Sequence, residues 1–157
     1  MKHIARILSL ALLVSGTLFI ASCGGDDGDG PSAKEKQVDL LVGTWSAQSV
    51  TNDGDSDPHT ANYSNFKITI TKSSSEAMTY VTQGRPAGKL SPWNANGTLS
   101  FGTNISSELK RGDNVTINYS LSGGTLTLTL PDYSGEGYLV PGKTETVEGD
   151  WVFVMTK

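Results

Sequence analysis

Three stretches of the chain alternate strictly between large apolar and small polar residues. Phe66, Ile68 and Ile70 are separated by Lys67 and Thr69, and Val115, Ile117, Tyr119 and Leu121 by Thr116, Asn118 and Ser120. Leu126, Leu128 and Leu130 are separated by Thr127 and Thr129. A period of two puts successive side chains on opposite faces of a strand, so each stretch has one buried and one wet face, as antiparallel sheets do. Shorter candidates at 43–50, 77–83, 97–102, 107–111 and 149–156 bring the expected total to about eight strands, with 88–93 a possible edge or ninth. Arg111-Gly-Asp-Asn114 and Ser122-Gly-Gly124 supply tight-turn chemistry between alternating runs. Pro86, Pro92, Pro131 and Pro141 fall in expected loops or at strand ends, where a missing N–H does no harm. One helix is expected, at 34–41, with Val38 and Leu41 on a shared face. Short connections between sequence neighbours predict an all-β, antiparallel up-and-down barrel; a two-sheet β-sandwich is the alternative.

The amino terminus has different physics. Lys2, His3 and Arg6 precede an apolar run from Ile7 to Ile20, too short to span a bilayer and suited to a secretory signal. The chain therefore divides into a signal peptide at 1–22, a tether at 23–37 and a barrel domain at 38–157. Residues 24–32 are glycine, aspartate, proline and serine, with nothing to pack, and a disordered linker is expected there. Loss of Lys2 and Arg6 with the signal leaves ten basic against 16 acidic residues, a net charge of −6. That sign argues against nucleic acid, whose phosphates need clustered Lys and Arg. The only cysteine, Cys23, excludes an internal disulfide framework.

Ile20-Ala-Ser-Cys23 resembles the lipobox of bacterial lipoproteins. The resemblance implies cleavage before Cys23, acylation of its sulfur and amine, and anchorage in the outer membrane, because several acyl chains hold a protein permanently where one does not. Gly24 stands where an aspartate would signal inner-membrane retention in enterobacterial lipoproteins. The acidic residues Asp26, Asp27 and Asp29 resemble the surface-export signal of Bacteroidetes-type lipoproteins, so display on the cell surface is expected over a periplasm-facing position.

Gly43-Thr-Trp45 at the start of the first strand resembles the Gly-x-Trp signature of lipocalins. Ser91-Pro-Trp93, Gly97-Thr-Leu-Ser-Phe101, Gly124-Thr-Leu-Thr-Leu-Thr-Leu130 and Gly149-Asp-Trp-Val-Phe-Val-Met-Thr-Lys157 are similar to segments of small lipocalin-like lipoproteins of Bacteroidetes-type bacteria. The resemblance implies an eight-stranded barrel in which Gly43 and Trp45 plug one end beneath an amino-terminal helical turn. Two features depart from the lipocalin pattern. Pro131-Asp-Tyr133 stands in place of the Thr-Asp-Tyr turn, and the Arg that stacks on the first-strand Trp is replaced by Lys157. A lysine can approach an aromatic face but lacks the planar guanidinium.

Reactive constellations are few. Asp53, Asp55 and Asp57 have the spacing that opens a calcium loop, yet the twelfth position from Asp53 is Ser64 where an EF-hand needs Glu, so a solvated acidic loop is the better reading. His59, the single histidine after the signal, lies in that loop, and no Gly-x-Ser-x-Gly elbow accompanies it. Glu148 and Asp150 share parity on a strand but read as a charged rim rather than a glycosidase pair. Arg111-Gly-Asp113 is the tripeptide integrins read, and more simply a hairpin tip. No catalytic residue, metal or cofactor is expected.

The aromatic residues carry the functional expectation. Tyr80, Trp93, Phe101 and Tyr119 are assigned to a barrel mouth that would bind a small apolar or glycan ligand. The alternative is an interaction or structural module (an adhesin, inhibitor or complex subunit) that has a filled barrel and binds partners through the long loops at 51–64, 84–96 and 131–148. Tyr133 and Tyr138 would form a contact patch on the last of these.

Overall fold

The computed structural model describes residues 30–53, 57–86, 91–137 and 146–157, without the side chains of 57–59 and 146. The signal peptide, Cys23, the Asp26–Asp29 acids, Asp55 and Tyr138 lie outside the described residues. Pro31–Lys157 forms one compact unit.

Its elements are α1 (Ala33–Leu41), β1 (Gly43–Asn52), α2 (Asp57–Asn62), β2 (Lys67–Lys72), β3 (Ala77–Gln83), β4 (Asn96–Phe101), β5 (Glu108–Arg111), β6 (Thr116–Ser122), β7 (Thr125–Glu136) and β8 (Thr146–Thr156). Each strand pairs antiparallel with the next, and β8 returns to β1, closing an eight-stranded up-and-down barrel. Strand β1 divides its length between two partners. Gly43–Ser46 face β2, and Ser46–Asn52 face β8 across a bulge between Ala47 and Ser49. Closure removes the exposed edges that a sandwich would retain.

The alternation reads directly into burial. Ile68 and Ile70, Met78 and Tyr80, Ile117 and Tyr119, Leu126, Leu128 and Leu130, and Trp151, Phe153 and Met155 all point inward. Their Thr, Ser, Asn and Lys neighbours form the outer wall. Because the strands alternate up and down, one end carries α1, the 73–76, 102–107 and 123–124 connections and Lys157. The other end carries α2, residues 84–86 and 91–95, the 112–115 turn, the end of β7 and the start of β8.

Helix α1 begins at Ala33, so the folded unit takes in residues 33–37 that the sequence assigns to the tether. Ser32 is the reason: its Oγ accepts from Glu35 N at 3.1 Å and satisfies one of the first-turn donors. Lys34–Glu76 (2.8 Å) and Lys72–Glu35 (2.8 Å) tie the helix to the β2–β3 turn, while Val38 and Leu41 are buried.

Three other expectations change. The 51–64 loop contains α2, whose Thr60 Oγ1 accepts from Val50 N and donates to Val50 O, both at 3.1 Å. This occupies the edge of β1 above the start of β2. Pro131 does not end its strand. β7 runs on to Glu136, because a register shift between Leu130 and Tyr133 places the proline where no ladder donor is required. Asp132 sits at φ +46 in that bulge, and its N–H donates to Asp150 Oδ1 at 2.7 Å. The loop expected at 131–148 is therefore strand over 131–136 and again from Thr146. Finally, residues 91–93 form no strand; they turn into the barrel instead.

Candidate functional site

At the α1 end, the two signature residues meet the last residue of the chain. Trp45 is 1% exposed, and its Nε1 donates to Leu41 O at 2.8 Å. Lys157 Nζ stands 4.5 Å from the indole centroid and donates to Leu40 O at 3.2 Å. Gly43 holds φ +140, a conformation that favours glycine, and a Cβ there would come within 2.8 Å of Cε near the flexible end of the Lys157 side chain. The lysine thus occupies the cation position over the ring. Lys157→Ala should cost about 0.5–1 kcal/mol in chemical denaturation, the scale of an exposed cation–π contact, and Lys157→Arg should retain it.

Of the four expected ligand residues, the structure brings two together. Tyr80 and Trp93 pack edge-to-face with centroids 5.4 Å apart at 82°. The Tyr80 hydroxyl donates to Asn94 Oδ1, and Thr82 Oγ1 donates to Asn94 O at 2.6 Å, which holds the 91–95 segment against β3. Phe101 is only half-buried. Tyr119 turns inward near the α1 end, with its hydroxyl donating to Ile105 O.

What surrounds Trp93 is the chain itself. The indole is 0% exposed and meets Phe153 edge-on at 6.0 Å. Phe153 is the hub of the interior, with Tyr63 at 5.3 Å, Phe66 at 5.4 Å and Trp151 at 6.1 Å. Tyr63 escapes the period-two pattern because it follows α2, but its spacing of three from Phe66 is visible in the sequence. Burial pushes the Tyr63 phenol up to about 12, outweighing lowering by Ser91 and by Arg85. Its hydroxyl faces Ser91 without a hydrogen bond of good geometry, and Trp93 Nε1 has no hydrogen-bond partner among the described residues.

The residue that sequence reasoning misplaced is Arg111, whose side chain is 1% exposed. On β5 it shares parity with Leu109, which was the available signal. The guanidinium lies 5.5 Å from the Trp93 centroid and 5.6 Å from that of Tyr133. Nε donates to Asp113 Oδ1 at 2.8 Å, Nη2 to Asp113 Oδ2 at 2.8 Å, and Nη1 to Pro92 O at 2.6 Å. Nη2 also approaches the Tyr133 hydroxyl at 3.4 Å. Burial opposes the charged guanidinium, but Asp113 and Tyr133 outweigh it and hold Arg111 above its ordinary value. For Asp113, burial alone would raise the carboxyl; the Arg111 hydrogen bonds and charge reverse this and lower it. Desolvation raises Tyr133. One side chain therefore joins the β5–β6 turn, the 91–93 segment and β7. The Arg of the Arg-Gly-Asp tripeptide is buried and not presented to a partner.

The acidic residues at this end serve the backbone. Asp53 Oδ1 accepts from Asp150 N at 2.8 Å, Asp53 N donates to Asp150 O at 3.0 Å, and Asn52 Nδ2 donates to Glu148 O at 3.2 Å. Asp150 is thus engaged with Asp132 and Asp53 rather than aligned with Glu148. Among the described residues no group of three or more His, Cys, Asp or Glu could hold a metal. The His59 side chain lies outside the described residues.

The arrangement is aromatic and closely packed, and burial raises its phenols above their ordinary value. In comparisons with known proteins, the chain matches no protein-family model and no curated sequence.

Proposed function

We propose that this chain is a lipid-anchored outer-membrane lipoprotein, displayed on the cell surface, whose lipocalin-like barrel is a non-catalytic interaction module. It acts through its outer wall and loops. The observation that carries this reading is Trp93. A carrier of a small apolar ligand needs interior space, whereas here the ring fills the barrel against Tyr80, Phe153 and Arg111. Small barrels either hold a ligand or pack side chains in its place. The anchoring part rests on Ile20-Ala-Ser-Cys23 and on the acidic tether that follows.

Native mass spectrometry of the protein purified from its own host tests the reading. The expected result is a mature chain carrying only its acyl groups, with stable protein or glycan partners. A reproducible small apolar mass bound to the monomer would overturn it. Cys23→Ala should abolish lipid attachment and release from the precursor. Cleavage of that variant to the mature length, or an acyl mass retained on it, would remove the anchor from the proposal.

A further inference from the structure

On the outer wall, away from the packed interior, a groove of about 240 Å3 is lined by Ser107, Asn118, Tyr119, Ser120, Thr127 and Thr129. It forms where β5 stops short. The β5–β6 ladder begins at Glu108↔Asn118, and β6 continues past it towards the α1 end, joined to the preceding loop by Tyr119 N donating to Ser107 O at 2.8 Å. Asn118 pairs with Thr129 and Ser120 with Thr127, so alternation sets these four side chains on one outward patch. Tyr119, its ring turned inward, contributes backbone.

The groove is chemically distinctive. Every side chain facing it is an uncharged hydroxyl or amide, and none of the five (Ser107, Asn118, Ser120, Thr127, Thr129) spends its polar group on a hydrogen bond within the described chain. Glu108, opposite Asn118 in the ladder, forms an ion pair with Lys110 at 3.6 Å. The lining itself offers an anionic or cationic ligand no counter-charge. An apolar ligand would strand the polar groups, and the lining holds no arginine, while its one aromatic residue, Tyr119, turns its ring inward, so the anchors typical of protein–protein hot spots are not presented. A neutral saccharide fits: each of its hydroxyls donates and accepts, as do Ser and Thr, and the Asn amide offers both functions side by side.

We infer that this groove binds a neutral saccharide through Asn118, Ser120, Thr127 and Thr129, with Ser107 at its rim. The inference deepens the outward-acting reading and rests on it. With no aromatic ring for the sugar to stack on, a single site is weak, and copies anchored side by side in one membrane gain by multivalency.

Saturation-transfer difference NMR on the full lipidated protein in detergent micelles provides the test. The probes are neutral trisaccharides of glucose, mannose and galactose, with trigalacturonic acid as the charged control. At about 10 mM ligand, enough to populate a millimolar site, at least one neutral trisaccharide should give a signal and the acid none. Thr127→Val/Thr129→Val removes two hydroxyls while keeping shape and strand preference, and should weaken binding about tenfold, the loss of two modest hydrogen bonds. Ser120→Ala serves in its place should the double variant melt lower than the parent. No signal from any neutral trisaccharide, an equal signal from the acid, or binding unchanged in the variants would overturn the inference. Protein partners seen by native mass spectrometry, with no saccharide signal, would sink this site and leave the outward-acting reading standing.

Discussion

Trp93→Ala is expected to destabilise the barrel by about 3–5 kcal/mol in urea or guanidinium unfolding, the range for removing a large buried aromatic side chain. The ring is fully buried, contacts two aromatic edges and underlies a guanidinium, so little around it can relax into the space left behind. The variant should also gain binding of a small apolar probe that the parent does not bind, because the opened volume is lined by Tyr80 and Phe153. Trp93→Phe sharpens the test. It keeps most of the ring and deletes an indole N–H that has no partner among the described residues, a group whose unpaired burial costs about 1–3 kcal/mol. Its net effect should lie within about 1 kcal/mol of the parent, because the lost volume offsets the relieved donor. Probe binding to the parent equal to that of Trp93→Ala would contradict the filled interior.

The second large effect belongs to the Arg111–Asp113 pair. Asp113→Asn keeps the shape of the partner but leaves a buried guanidinium without its counter-charge. Breaking a fully buried pair costs about 3–5 kcal/mol; with the Asp113 side chain 35% exposed, about 2–3 kcal/mol is expected here. The pair also sets a pH dependence. Asp113 has a lower pKa in the folded protein than in the unfolded chain, so its contribution is complete above the unfolded value near pH 4. It is lost as pH falls below that value and through the depressed folded one. Unfolding curves from about pH 6 to pH 2 should show this acid loss in the parent and a smaller loss in Asp113→Asn. Arg111→Met deletes the charge together with the donors to Pro92 O and Tyr133, so the double variant should be less destabilised than the sum of the singles. Strict additivity would show that the pair contributes no coupling.

Much of this architecture is visible in the linear order of residues. Alternation in 66–70, 115–121 and 125–130 specifies which face of each strand is buried, because a one-residue slip would expose every Leu and Ile of the run. Turn residues at 111–114 and 122–124 specify hairpins, and hairpins between neighbours specify a meander. Lys157 lies over Trp45 because the β1–β8 pairing sets the end of β8 beside the start of β1. Other features were less legible. Pro131 reads as a strand terminator, yet a bulge sustained by Asp150 carries the strand past it. Arg111 reads as a turn residue, since charge normally argues for exposure, and only a carboxylate two residues away makes its burial tolerable.

The candidate site divides in the same way. Parity alone places Tyr80, Tyr119 and Trp151 inside the barrel, but parity says nothing of height along the axis. For that reason Tyr80 joins Trp93 while Tyr119 reaches Ile105 near the α1 end. The sequence by itself determined most of the strands and their inward faces, because those depend on local periodicity and neighbour pairing. Only the tertiary structure decided that 91–93 would enter the barrel and that Arg111 would hold it there. It also decided that β5 would stop short of β6 and leave the outer groove. Each of these depends on contacts between residues far apart in the chain, where side-chain volume and charge compensation choose among arrangements that the local pattern leaves equal.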